Sequence, residues 1–525
     1  MGETDMGEDL LECFRSRVKK EYKLAFVTTF LIALLIHLYK FTNTLPNHDS
    51  VYNYYSDQNI LGSGRWALSL ACAASSYYDL PWVIGLLSCT VMALTVAVIV
   101  ALFGIRNPVL IGLTGALLAA SPATTETFFF LYTADGYMIA MLLAALSVYF
   151  SRIEETRRSR LVLSGICLCV SCGIYQAYVS FALLLAVCYF IDALMQNRAD
   201  RQTCCAWVLR QVVIYIASLA VYYAIWKLCM RVSGISPTDY QGISKVGGLS
   251  ARLLANGLIR SIQTVLIYFL QWDVFAHGWS LYSVLSVVFV CVLAIGLVMS
   301  IVRSGMFKRK WAMGFLLLCL LSIIPFAGIW HFTSDTVGYR AMMLQSLTLL
   351  FLLVALLYER WAKPAAKNAV CLFLLLVVAN HALMANISYF YMNLCYERTY
   401  AESLEMMIRI HALQDEYEID DIAVVGNRLA QANWPAFDEE EGKMLPAGKT
   451  LILSAMLETT LLINSDHVQA FLRANYDLEL KSVSHERLEQ ICEFPQVQSM
   501  GCWPAGDSMA VIDGTLVIKL ADEGE

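Results

Sequence analysis

The sequence predicts an all-α polytopic membrane protein of about eleven transmembrane helices, followed by a small C-terminal α/β soluble domain. Three observations carry this. Of 525 residues, 58% are hydrophobic and only 15% charged, where soluble proteins carry roughly 25% charged. The apolar residues fall in long runs, several near the roughly 20 residues that cross hydrocarbon. After Ile387 the composition changes, and apolar runs shrink to the lengths of soluble helices and strands.

The candidate spans, in order, are 24–39, 81–103, 108–120, 134–150, 161–175, 178–195, 208–230, 281–302, 311–330, 341–358 and 368–387. The first follows Arg15, Arg17, Lys19, Lys20 and Lys23. No small-residue cleavage site follows it, so it reads as a retained helix and not as a signal peptide. Basic loops stay on the cytoplasmic side. With eleven spans, the basic stretches 15–23, 152–160, 198–210, 303–310 and 359–367 all fall on one side. The stretch 253–270 is apolar but carries Arg260 and Gln263 on a helical face. If it crossed, 303–310 would lie outside, so it is expected as an amphipathic helix in the plane of the outer interface.

The domains expected are a cytoplasmic N-terminus (1–23), a transmembrane unit (24–395) and an extracytoplasmic α/β unit (396–525). The long outer loops are 41–80 and 231–280, the second with a Gly- and Ser-rich stretch at 233–248; 121–133 and 331–340 are shorter. In the tail, 397–417 and 468–475 read as helices, 421–425 and 449–454 as strands, and 508–520 as a hairpin around Asp513-Gly514. The 16 cysteines mostly lie in apolar runs, such as Cys167, Cys169, Cys172 and Cys371, where a free thiol behaves as a small hydrophobe. Cys492 and Cys502 could form a disulfide if the tail is extracytoplasmic, but unbridged cysteines are the expectation.

A net charge of −6 gives no reason to expect nucleic acid as a partner. There is no GxxxxGK[ST], no GxGxxG and no HExxH, so a cytosolic nucleotide site is unsupported. The donor of any group transfer would be presented in the membrane.

Ionisable groups at membrane depth are costly and point to function. Here they gather at outer helix ends. Asp49, in the run from Asn47 to Trp66, could accept a proton from a sugar hydroxyl as general base; the plain alternative is an N-cap. Its neighbours Tyr52, Tyr54, Tyr55, Asp57, Arg65 and Trp66 suit a carbohydrate, and the tyrosines equally suit an interface belt. Asp135 opens a span and would orient an acceptor, bind a cation or stabilise a helix N-terminus. Glu126 is a weaker candidate in the same loop. Tyr175 and Gln176 sit at a tight outer turn, either on a sugar or as interhelical glue. His331, Asp335, Tyr339 and Arg340 fill the loop before the tenth span. Arg340 suits a lipid-linked phosphate, because its planar fork pairs with phosphate oxygens; a snorkelling arginine is the alternative. Lys245, Arg252 and Arg260 are further outer cations able to hold a phosphate. His48, Asp49, His331 and Asp335 would form a metal site if their loops met; no metal is assigned, and a divalent cation stays open.

Taken together, HDS…YYSDQNILGSGRW in the first outer loop, the Pro-Trp opening of the second span, TADGYM, GIYQAYVSF and VGYR resemble the Gtr-type glucosyltransferase II family of bacterial membrane glycosyltransferases. The resemblance covers roughly residues 24–387. It implies a GT-C-type fold in the cytoplasmic membrane, a polyprenyl-phosphate-linked sugar (glucose) as donor and an active site facing away from the cytoplasm. It also implies a surface polysaccharide such as O-antigen as acceptor. An acidic residue of the first outer loop would serve as base: Asp49, with Asp57 as second choice. On this reading the phosphate is held by Arg340, Arg260 and Lys245, and the sugar by Tyr54, Arg65, Trp66, Tyr175, Gln176 and His331. The rival is a transporter or flippase of lipid-linked sugars, which would want internal symmetry and polar span centres. The sequence has no repeat, and 91–100 and 349–354 are almost purely apolar. A non-catalytic scaffold would leave the outer Asp and Arg without purpose.

Overall fold

Proline and glycine set many of the helix ends, and apolar runs fill the lengths between. The computed structural model describes residues 18–236, 251–270, 281–333, 340–428 and 460–522. Helix α1 (Lys20–Thr42) leads into the short α2 (His48–Tyr52) and α3 (Leu68–Ala71) of the first long loop. Helix α4 (Pro81–Phe103) begins on a proline, whose missing N–H is harmless in a first turn, and ends at Gly104, whose φ of 64° closes it. In α5 (Pro108–Ala120) the Asn107 side chain accepts from the Val109 N–H, and Ser121-Pro122 turns the chain into α6 (Pro122–Thr127). Then come α7 (Leu131–Phe150), α8 (Arg158–Ile174), α9 (Tyr178–Met195) and α10 (Arg201–Ser233), the last capped by Asp200. After α11 (Ala251–Leu270), α12 (Leu281–Arg303) and α13 (Lys310–Ala327), a tight turn, Ala341–Leu347, opens α14 (Thr348–Trp361), and α15 (Pro364–Glu416) follows.

Among the described residues, 10 helices are long and apolar enough to cross a membrane, so this is a polytopic membrane protein. The centre is α9 and Ala341–Trp361, with 94% and 100% of their apolar windows buried; a helix apolar all round belongs inside. Helices α10, α12 and α13 turn Leu209, Val298 and Leu317 outward, as lipid-facing helices do. Helix α11 has the length to cross; at one end of the bundle it packs on the segment after α13, and through Phe269 it also reaches Phe289 of α12 and Phe351 of α14. Gly257 meets Phe332, Ser261 Oγ donates to the Gly328 carbonyl, and Thr264 bonds His331. The sequence reading set 253–270 in the outer interface and counted eleven crossings; among the described residues α11 is one of the ten helices long and apolar enough to cross.

The loops after α7, α9, α12 and α14 come together at the other end. Arg360 reaches Asp192 and the Phe103 carbonyl, Arg309 bonds Asn197, and Arg210 bonds the Arg152 carbonyl. The basic loops therefore share one end, and the first long loop lies at the opposite one.

Three elements depart from expectation. The last span and the helix expected at 397–417 are one helix, α15, of 53 residues, about 80 Å long at ~1.5 Å per residue. No glycine and no proline beyond Pro364 interrupts it. Helix α10 is longer than 208–230 and runs to Gly234. The stretch 341–358 is not one α-helix, because Leu344 leaves helical φ/ψ and tightens the first turns.

Beyond α15 lie β1 (Asp421–Val425), α16 (Ser465–Tyr476), β2 (Lys481–Ser482), α17 (His485–Cys492), α18 (Pro495–Ser499), β3 (Met509–Ile512) and β4 (Thr515–Lys519). The sheet order is β2-β1-β4-β3, with β1 parallel to β2 and β4. The β3–β4 hairpin turns on Asp513 and Gly514, both at positive φ, as a two-residue hairpin requires. Side chains alternate across the sheet: Ile422, Val424, Leu516 and Ile518 pack on α15 and α16, while Ala423, Val425 and Val517 pack on α17 and α18. The first of these cores includes Val51 of α2, so the tail sits on the first long loop. The expected strand 449–454 lies outside the described residues, as does most of 233–248. Cys492 and Cys502 are not joined in a disulfide.

Candidate active site

The first long loop is fixed at both ends by one buried group. Lys40, with no exposed surface, donates to the Leu45 carbonyl and lies beside Asp79. Burial pushes the Asp79 carboxyl up, and the Lys40 ammonium pulls it part of the way back. Within the loop, the cap of α2 is Asn47. Its side chain accepts from the Ser50 N–H at 2.9 Å, and Ser50 Oγ accepts from the Asn47 N–H in return. Asp49 is therefore not the cap that one sequence reading made it. Its side chain is 30% exposed, and one carboxylate oxygen stands 3.5 Å from His48 Nε2.

Around Asp49 the loop and helix α7 build an aromatic floor. Asp49 and Arg65 are both electrostatic neighbours of Tyr77 and Tyr132. Gln58 ties this floor together, donating to the Asp49 carbonyl and accepting from the Tyr132 hydroxyl. Arg65 donates to Ser63 Oγ at 2.9 Å and to the Tyr137 hydroxyl at 3.3 Å. Tyr137 stacks on Tyr175, with ring centres 4.5 Å apart. Gln176 donates to the Ser63 carbonyl and to the Tyr222 hydroxyl, so it is glue for the loop. Trp66 lies flat on Gly173; a Cβ at Gly173 would come within 2.5 Å of the indole. Asp135 is buried, faces Cys72 and Ser75 and accepts from the Gly136 N–H, fastening α7 to the turn after α3.

The other expected residues lie elsewhere. Asp57 is an exposed turn residue that accepts from the Asn59 N–H. Tyr54 is exposed among Tyr55 and Tyr78. Arg340 has Glu126 as its charged neighbour. Glu126 is buried, accepts from the Met342 N–H at 3.0 Å and has its carboxyl pushed up to about 8 by burial, with Arg340 opposing. His331 is buried, bonds Thr264 at 2.8 Å and has Arg260 nearby, so it holds α11 in place. Lys245, Asp335 and Tyr339 lie outside the described residues. The structure thus sets Asp49 and Arg65 around the same tyrosines and links Arg65 through Tyr137 to Tyr175, while Arg260 lies beside His331 and Arg340 beside Glu126.

The tail adds residues the sequence did not suggest. The His467 ring of α16 meets that of His48 edge-on, centres 4.8 Å apart, and Arg473 lies over Tyr55. Beside them Tyr52, Tyr55, Asp466, Gln469, Arg473 and Lys481 line a polar cleft of about 360 Å³ between loop and tail. A second cavity, an apolar groove of about 780 Å³, runs between α8 and α10 from Arg210 near the basic end to Trp66. No local signal pointed to His467, which is brought here by the sheet. Tyr132 and Tyr137 flank Asp135 in sequence and could have been singled out with it.

The chain matches the family described as glucosyl transferase GtrII over residues 38–345, more than half its length. Neither the curated proteins nor the solved structures compared with it give a match.

Proposed function

Because the chain belongs to the glucosyl transferase GtrII family, we propose that it moves glucose from a polyprenyl-phosphate carrier to a surface glycan, at the end of the bundle opposite the basic loops. That end would face away from the cytoplasm, with the N-terminus cytoplasmic and the C-terminal unit extracytoplasmic, as the positive-inside bias requires. The single observation that carries the reading is Asp49. It is released from capping by Asn47, left partly exposed, and set over an aromatic floor that it shares with the Arg65 guanidinium.

In the proposed step the acceptor hydroxyl enters from the cleft between loop and tail, and Asp49 takes its proton as the oxygen bonds to the anomeric carbon. The bond from that carbon to the carrier phosphate breaks, and its electron pair stays on phosphate oxygen. A single displacement of this kind inverts the anomeric centre. The developing phosphate charge falls to Arg65, whose donors are already oriented by Ser63 and Tyr137. Sequence reading gave this role to Arg340, which lies beside the buried Glu126. The isoprenoid chain suits the groove between α8 and α10, because the groove is lined almost wholly by apolar side chains and its outer lip, Trp66, is the residue after Arg65. Stacked tyrosines such as Tyr137 and Tyr175 offer the flat faces that sugars pack on.

The test is transfer by purified protein from polyprenyl-phosphate glucose. Asp49→Asn is expected to lose roughly 10²–10⁴ of the rate, the usual worth of a positioned base, with its melting curve unchanged. Transfer at the wild-type rate by this variant removes Asp49 from the role. Reporter fusions after residue 60 that read out as cytosolic remove the whole arrangement.

A further inference from the structure

We propose that His48, Asp49 and His467 form a binding site for a divalent cation of the zinc class, which pins the C-terminal unit to the first long loop. One ligand atom from each residue lies within 4.8 Å of the others. His48 Nε2 and the Asp49 carboxylate are already 3.5 Å apart. A tetrahedral site with metal–ligand bonds near 2.0–2.2 Å sets its ligand atoms roughly 3.3 Å apart, so His467 would move closer to His48 and Asp49 on binding. The ring of His467 has a buried Nδ1 with no hydrogen-bond partner among the described residues, a polar atom that a metal would satisfy.

The supports are rigid, which a metal site needs. Helix α2 is held by the Asn47–Ser50 capping pair. Helix α16 is capped by Asn464 on the His467 N–H and anchored in the tail core by Val468 and Phe471. Two imidazoles and one carboxylate suit zinc and its neighbours, and suit magnesium or calcium poorly. Three protein ligands leave a fourth position for water or for a hydroxyl. The histidine partner expected from sequence, His331, is bonded to Thr264 instead.

The site shares Asp49 with the proposed base, and on that reading a bound metal withdraws the carboxylate and slows transfer. The experiment uses full-length, untagged protein in detergent, stripped with chelator. Zinc is titrated calorimetrically, and cobalt is added as a spectroscopic probe of tetrahedral geometry. Wild-type protein is expected to bind zinc stoichiometrically and to release its tail more slowly to protease when zinc is present. His467→Ala, with a zinc-free melting curve like wild type, is expected to lose at least the roughly 10–100-fold in affinity that even an outer-shell partner contributes, and to lose the protection. No zinc binding by wild type, or equal binding by His467→Ala, overturns the proposal. Transfer measured with and without zinc, each protein against its own zinc-free rate, separates the two readings. Binding that slows wild-type transfer supports both. Binding that leaves transfer unchanged keeps the metal site and sinks Asp49 as base.

Discussion

At the end of the bundle that carries the basic loops, Asp192 stands between Arg198 at 3.0 Å and Arg360 at 2.7 Å, and Glu155 holds Arg160 at 2.7 Å. At the opposite end, Asp49 is 30% exposed, meets His48 only at 3.5 Å and shares tyrosine neighbours with Arg65. Both ends hold carboxylates and guanidinium groups; Asp192 and Glu155 are closed into ion pairs of 2.7–3.0 Å, while the Asp49 carboxylate keeps part of its surface exposed. A buried charge must be paired or it destabilises the fold, so the closed pairs mark fastening. A carboxylate left partly open, as Asp49 is, is available to a substrate. Type and number of charged residues therefore do not separate structure from chemistry here; closure does.

The sharpest test of that contrast is to remove a charge from each end. Asp192→Ala leaves two arginines facing a buried gap and is expected to cost about 3–5 kcal/mol of stability, the usual loss when one partner of a buried pair goes. Thermal unfolding in detergent measures it, and transfer per folded molecule should be unchanged. A variant that melts normally but no longer transfers glucose would undo the comparison.

Next in size is Arg65→Ala, expected to lower transfer by roughly 10²–10³, the worth of one preorganised donor to a developing anion. Arg65→Lys should restore only part of the rate, because an ammonium lacks the planar fork. The split between kcat and KM sharpens the point, since a group acting on the departing phosphate affects kcat. A loss confined to KM would make Arg65 a binding residue only.

Glu126 lies at the open end but is closed in, and so should behave as the basic end does. Its carboxyl is pushed up to about 8 from an ordinary value of 4.5. Between these values the folded chain holds a proton that the unfolded chain releases, so stability should fall as pH rises through that window. Melting temperatures recorded across it should slope downward for wild type, and Glu126→Gln should flatten the slope. An unchanged slope in Glu126→Gln would mean another group titrates there.

Much of the fold was legible because its signals are local. Apolar runs marked the long helices, Asp513-Gly514 announced its hairpin, and β1 occupies the expected 421–425. The continuity of α15 was legible in principle, since nothing after Pro364 breaks it; composition changed there while backbone did not. The site was less legible because its geometry is non-local. Asn47 rather than Asp49 caps α2, a choice between adjacent residues that only Ser50 decides. Arg340 and Glu126 are far apart in the chain, as are His48 and His467, and no periodicity relates them. Arg65 was singled out for a sugar, but that it and Asp49 surround the same Tyr77 and Tyr132 emerges only once the loop folds over α7.

The smallest effect belongs to a pair that looks like Asp192's but is not closed. Lys367 and Glu359 stand 3.6 Å apart at the basic end, with side chains 34% and 32% exposed. Water competes for both groups, and the long lysine side chain loses rotamer freedom in holding one position. Exposed pairs are worth roughly 0.2–1 kcal/mol, so Lys367→Ala should move the melting midpoint barely beyond error and leave transfer unchanged. Orientation should also survive, because the positive-inside bias is summed over several loops and Lys363, Arg360 and the other basic stretches remain. Reporter fusions and melting curves on this one variant therefore separate position from closure. If Lys367→Ala destabilises as strongly as Asp192→Ala, membership of the basic end is what counts, and partial exposure ceases to distinguish the charges open to a substrate from those that fasten the fold.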